Sequence, residues 1–146
     1  MRSRLIWTTL LFILIFQTNV FARYDELFEV VKEVDAETEL LARLITAEAG
    51  SDWCSDEMMY GVGSVVLNRV EHDLFPDSIR EVIYQSGQYS CVPNGSIKKD
   101  PCDRAVQVAI DLMENGSTMP SNVVFQSQFI QGEIYQKIQN MYFCRK

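Results

Sequence analysis

A chain of 146 residues with 47% apolar and 23% charged side chains has the make-up of a globular domain; collagen-like, low-complexity and disordered classes do not fit it. Acids outnumber bases by 20 to 13, for a formal charge of −7. That excess speaks against nucleic acid as a partner, because binding to phosphate backbones draws on clustered Lys and Arg.

Arg2 and Arg4 precede an apolar run from Leu5 to Phe16, interrupted only by Thr8 and Thr9, and Val20-Phe21-Ala22 has the small-residue pattern of a cleavage site. Residues 1–22 therefore read as a secretory signal peptide. The run is shorter than the roughly 20 residues that span a bilayer, so no stable membrane insertion is expected after cleavage. Removal of this segment takes away two arginines, and the charge of residues 23–146 becomes 11 − 20 = −9. We expect one exported domain over 23–146, and a monomer.

All four cysteines, Cys54, Cys91, Cys102 and Cys144, lie in the exported part. An even count behind a signal peptide suggests two disulfides, with pairing of Cys91 to Cys102 and Cys54 to Cys144 preferred among three connectivities. No Cys-x-x-Cys pair exists and His72 is the lone histidine, so no metal and no cofactor are expected.

The spacing of Leu27, Phe28, Val31 and Val34 predicts a helix over 25–34. A second helix is predicted over 36–49, capped by Asp35 or Thr38, with Gly50 as a left-handed C-terminal residue and an apolar stripe of Leu41, Leu44 and Ile45 that Glu48 continues. A third begins after Ser55 and runs to Val70; Gly61 and Gly63 inside it call for close approach of another backbone or a ligand, or for tight helix packing. Ser78 and Glu81 form a capping box ahead of a short helix ending near Tyr84. Residues 85–99 read as a long surface loop. Asp100 and Pro101 open a helix that Asn115-Gly116 stops. Val123 to Phe129 and Met141 to Phe143 favour short strands in a hairpin.

His72 beside Asp73 in a polar turn is a poor catalyst, and neither a phosphate-binding glycine loop nor a nucleophile elbow is present. The carboxylates remain. Glu48 stands out because it extends a buried stripe and occupies the last turn of its helix, where lost hydration and the negative end of the dipole both raise a carboxyl's proton affinity. A glutamic acid that keeps its proton near neutrality can donate it to a glycosidic oxygen. Periodicity leaves a second reading open, in which Glu48 reaches solvent at a frayed end or pairs with Arg43 or Arg69.

Three blocks, Leu40 to Ala49, Val65 to Val70, and Phe75 to Gln85 running on to Gly87-Gln88-Tyr89-Ser90, resemble the cell wall hydrolases typified by the spore cortex-lytic enzyme. The resemblance implies an α+β, mostly helical, lysozyme-like or lytic-transglycosylase-like single domain with a small C-terminal β-hairpin. It places the catalytic glutamate on Glu48 and implies cleavage of peptidoglycan glycan strands between N-acetylmuramic acid and N-acetylglucosamine. In the lytic transglycosylase reaction that it implies, Glu48 protonates the glycosidic oxygen and then activates the muramoyl 6-hydroxyl, closing a 1,6-anhydro ring. Muramidase-type hydrolysis by water, and a binding module of the same fold without turnover, are the alternatives. A hydrolase needs a second carboxylate, for which Asp52, Asp56 and Glu57 are nearest, although capping explains all three. Gln88, Tyr89 and Ser90, with Asn68 and Phe125, are the candidates for sugar binding, since amides, hydroxyls and aromatic faces hold sugars. Core packing is the alternative for Tyr89 and Phe125, and support of the loop for Asn68. The chain departs from the family pattern at Cys91 and Cys102, and after Pro120.

Overall fold

A computed structural model describes residues 34–146. The signal peptide predicted over 1–22 lies outside this range, as does the helix predicted over 25–34 except for Val34, which is not helical.

The first described helix, α1, spans Ala36–Ala49. Asp35 starts it: its carboxylate accepts the N–H groups of Glu37 (2.9 Å) and Thr38 (3.1 Å), two donors a helix N-terminus leaves unpaired. Leu41, Leu44 and Ile45 are completely buried, as their spacing requires. Gly50 ends the helix by donating to Thr46 O (2.9 Å), but at φ −80° it is not in the left-handed conformation predicted for it.

Ser55 caps α2, Asp56–Val70, accepting Met58 N–H at 3.2 Å. Almost every residue from Met58 to Val66 is buried, so α2 is the central element of the core. Its two glycines answer to packing rather than to a ligand. A Cβ on Gly61 would meet the Phe143 ring at 2.7 Å, and one on Gly63 would run into Leu112 Cδ1. The Gly61 side of α2 also seats the segment that leads to the sheet: Thr118 N–H donates to Ser64 Oγ (3.0 Å), and the Asn68 amide donates to Pro120 O (2.8 Å) and Val123 O (2.9 Å).

Helix α3, Ile79–Tyr84, begins at the predicted box, where Ser78 Oγ accepts Glu81 N–H and donates to the Glu81 carboxylate (3.0 Å). The loop that follows contains a 3-10 turn at Ser96–Lys98. Helix α4, Asp103–Asn115, starts two residues beyond the predicted Pro101. The reason is tertiary: Cys102 N–H is drawn to Thr46 Oγ1 (3.1 Å), and Arg43 holds the carbonyls of Lys98 (2.8 Å) and Lys99 (3.3 Å), so the chain stays extended against α1. Gly116, at φ +85°, stops α4.

Three strands complete the described chain, β1 (Val123–Ser127), β2 (Glu133–Ile138) and β3 (Met141–Arg145), in an antiparallel sheet of order β1-β3-β2. The predicted hairpin is thus a three-stranded sheet with β3 at its centre. The turn between β2 and β3 is tied to the α1–α2 connection, since Gln139 accepts Ser55 N–H (3.2 Å) and donates to Trp53 O (2.8 Å).

Candidate active site

Glu48 projects from the last turn of α1 and is half-buried. Burial raises its proton affinity above the ordinary carboxyl range, and a hydrogen bond from the Cys91 thiol works weakly against that rise. Neither arginine considered as a partner pairs with it among the described residues. Arg43 is bound to Glu39 (2.6 Å) and lies 3.6 Å from Asp100. Arg69 donates to Val124 O (2.7 Å) and to the Tyr89 hydroxyl (3.3 Å). A carboxyl that is partly dehydrated and lacks a cation holds its proton more tightly than one in water, and its remaining exposure leaves it accessible.

The cysteines are where the structure departs furthest from the sequence reading. All four are free thiols, so the predicted disulfides are absent. Cys91 is turned to Glu48, whereas Cys102 Sγ accepts a hydrogen bond from Thr46 Oγ1 at 3.7 Å. Burial, then the charge of Glu48 and the hydrogen bond to it, push the Cys91 thiol up to about 12, so it is a neutral donor and not a thiolate.

Tyr89 is 5% exposed, and burial drives its phenol up to about 12; Arg69 opposes the rise, while Glu48 and Cys91 add to it. Arg69 itself is buried, its guanidinium 5.1 Å from the Phe75 ring centre and 5.5 Å from that of Tyr89. Cation–π contact on both rings compensates part of the hydration this charge gives up. Phe125 is half-buried and meets Phe75 edge-on at 6.5 Å.

The proposed sugar-binding residues therefore divide. Gln88 and Ser90 are exposed on either side of the inward-pointing Tyr89. Tyr89 and Phe125 join the Arg69–Phe75 stack behind the Glu48–Cys91 pair, and Asn68 is buried, its amide hydrogens engaged by the segment entering β1. Of the acids near Glu48 in sequence, Asp56 binds Arg104 (2.6 Å), Glu57 accepts from the Gln136 amide (2.7 Å), and Asp52 is exposed in the turn after α1. Sequence reasoning missed Cys91 as a neighbour of the site, and offered Arg69 as an ion-pair partner of Glu48 where the structure bonds it to Val124 O and the Tyr89 hydroxyl. Cys91 directly follows the Gln88-Tyr89-Ser90 segment, a signal obscured by reading it as half of a disulfide.

A family model described as cell wall hydrolase matches residues 54–144, a range that begins just after the Glu48 turn. The chain is 30% identical over 87 residues to a spore cortex-lytic enzyme of Oceanobacillus iheyensis, a match covering 60% of this chain and 30% of that protein. The chain thus spans about a third of the length of this curated relative. Among solved structures, the catalytic domain of the germination-specific lytic transglycosylase SleB of Bacillus anthracis superposes with a TM-score of 0.66 at 19% identity, covering 75% of this chain and 93% of that one. The catalytic domain of the Bacillus cereus SleB protein gives 0.65 at 20% identity, over 75% and 89% of the two chains. The α+β, mostly helical fold is shared with both.

Proposed function

The chain belongs to the cell wall hydrolase family, and from that membership we propose that residues 23–146 are the catalytic domain of an exported enzyme that cuts peptidoglycan glycan strands, with Glu48 as its general acid. The observation that carries the reading is the half-buried Glu48 carboxyl at the end of α1, raised in proton affinity by burial and free of any arginine partner among the described residues.

Glu48 enters the reaction protonated. It donates its proton to the oxygen linking N-acetylmuramic acid to N-acetylglucosamine as that bond breaks and positive charge develops at the muramoyl anomeric carbon. The resulting carboxylate receives the Cys91 S–H hydrogen bond while it takes the proton of the muramoyl 6-hydroxyl. That oxygen then closes on the anomeric carbon as the 1,6-anhydro ring, and Glu48 regains its proton. An internal nucleophile removes the need for a second carboxylate. The engagement of Asp56 by Arg104 and of Glu57 by Gln136 favours this course over hydrolysis. Exposed Gln88 and Ser90 would contact the sugars, with Tyr89, Asn68 and Phe125 shaping the wall behind them.

Export of the domain rests on the 1–22 segment. No helix among the described residues is long and apolar enough to cross a membrane.

The test is loss of turbidity of purified sacculi together with mass analysis of the fragments. The native protein should release 1,6-anhydro-muramoyl ends, and the Glu48→Gln variant none while remaining folded. Undiminished lysis by that variant removes Glu48 from the mechanism, and reducing muramic ends in the native digest convert the reading to hydrolysis.

A further inference from the structure

A cavity of about 280 Å3 opens where α1, α3 and the 3-10 turn meet. Glu39, Leu40 and Arg43 line it from α1, Arg80 and Tyr84 from α3, and Lys98 from the turn. Three cations against one acid give this lining a formal charge of +2, or +1 with Asp100, which lies 3.6 Å from Arg43, in a chain whose total is −7. The local field therefore opposes that of the whole molecule and concentrates anions.

The three cations differ in their engagements. Arg43 is committed to the fold: Nε and Nη2 donate to Glu39, and Nη1 to the carbonyls of Lys98 and Lys99, which fixes the wall. Arg80 and Lys98 are exposed, and among the described residues neither has a carboxylate within 4.0 Å. The Arg80 guanidinium lies 5.1 Å from the Tyr84 ring centre. A guanidinium held over a ring keeps N–H groups free, and a guanidinium can receive a carboxylate through two parallel hydrogen bonds. Leu40 and the Tyr84 ring supply apolar surface for an aliphatic chain carrying that carboxylate.

Position selects the ligand. Arg43 and Glu48 stand five residues apart on one helix, about 7.5 Å along its axis and about 140° around it, a separation that a peptide of a few residues spans, and Lys98 belongs to the same loop as Cys91. A strand cut at Glu48 carries its stem peptides on the muramoyl residues, beside the bond that breaks. We propose that this cavity is a subsite for a carboxylate of the peptidoglycan stem peptide, an inference that rests on the peptidoglycan reading of the Glu48 site.

The experiment compares glycan strands carrying stem peptides with the same strands stripped by an amidase, using the full chain and an Arg80→Ala/Lys98→Ala variant; both substituted residues are exposed and outside the catalytic group. The native protein should show the lower KM on the peptide-bearing strands. The variant should lose that advantage, with KM about tenfold higher there, kcat unchanged, and stripped strands cut as before. Equal treatment of the two strands by the native protein, or a loss in the variant that is the same on both, overturns the proposal. Should the native protein cut neither strand, the peptidoglycan reading fails separately, and calorimetry with isolated stem peptide and with inorganic phosphate decides the subsite. Peptide binding abolished in the variant supports it; no binding, or phosphate binding as strong as peptide binding, overturns it.

Discussion

The Cys91 thiol and the Glu48 carboxyl are close neighbours, and each group alters the other's protonation. The hydrogen bond favours ionised Glu48, whereas burial opposes it more strongly. Cys91→Val keeps the apolar bulk and removes the donor, so Glu48 should hold its proton to higher pH. The alkaline limb of the pH–rate profile should move up by about half a unit, since hydrogen bonds to a charged form shift a pKa toward that form. Cys91→Ser supplies a stronger donor and should move the limb down. A limb that stays in place in both variants shows that the thiol does not act on Glu48.

Linkage gives a second test at the same residue, read in stability and not in rate. Glu48 has a folded pKa above its unfolded value near 4.5, so the folded state binds more protons as pH rises between the two values. Native stability is therefore free of this burden in acid and declines as pH rises through the folded pKa. Glu48→Gln never ionises. Its melting temperature should match that of the native protein at about pH 4 and exceed it at about pH 8. Equal melting temperatures at both would show that burial does not act on this carboxyl.

Gly61 faces the Phe143 ring, which is fully buried. Gly61→Ala gains about 1 kcal/mol of helix propensity but forces a methyl group into that ring, and overpacking of this kind costs about 1–3 kcal/mol. The net effect should be a loss of about 1 kcal/mol, or a few degrees in melting temperature. A more stable Gly61→Ala would mean that the ring and Met119 can shift aside.

Helix starts were readable because a capping side chain satisfies backbone donors within three residues, a purely local event: Asp35, Ser55 and Ser78 each stand where the sequence puts them. Glu48 was readable for the same reason, since helical periodicity alone places it beside Leu44 and Ile45. What failed depended on distant partners. Pro101 would begin a helix in isolation, but Thr46 and Arg43 hold that segment extended. Strand β2 lies at the sheet edge, with Glu133 to Tyr135 exposed, so it lacks the alternation that marks a half-buried strand. Counting cysteines could not show that Cys91 faces a carboxylate fetched from α1 by the tertiary fold.

Asn68 separates support from recognition. Its two amide hydrogens satisfy the Pro120 and Val123 carbonyls beneath the entry to β1, and the residue is 2% exposed. Asn68→Ala removes the amide donor from the Val123 carbonyl and leaves the Pro120 carbonyl with the Val123 N–H alone (2.9 Å), a loss of about 1–2 kcal/mol. The melting temperature should fall by several degrees, while KM and kcat of the folded fraction stay near native when assayed well below the transition. A raised KM at full folding, with little loss of stability, would instead place Asn68 in contact with the glycan and require the segment before β1 to open.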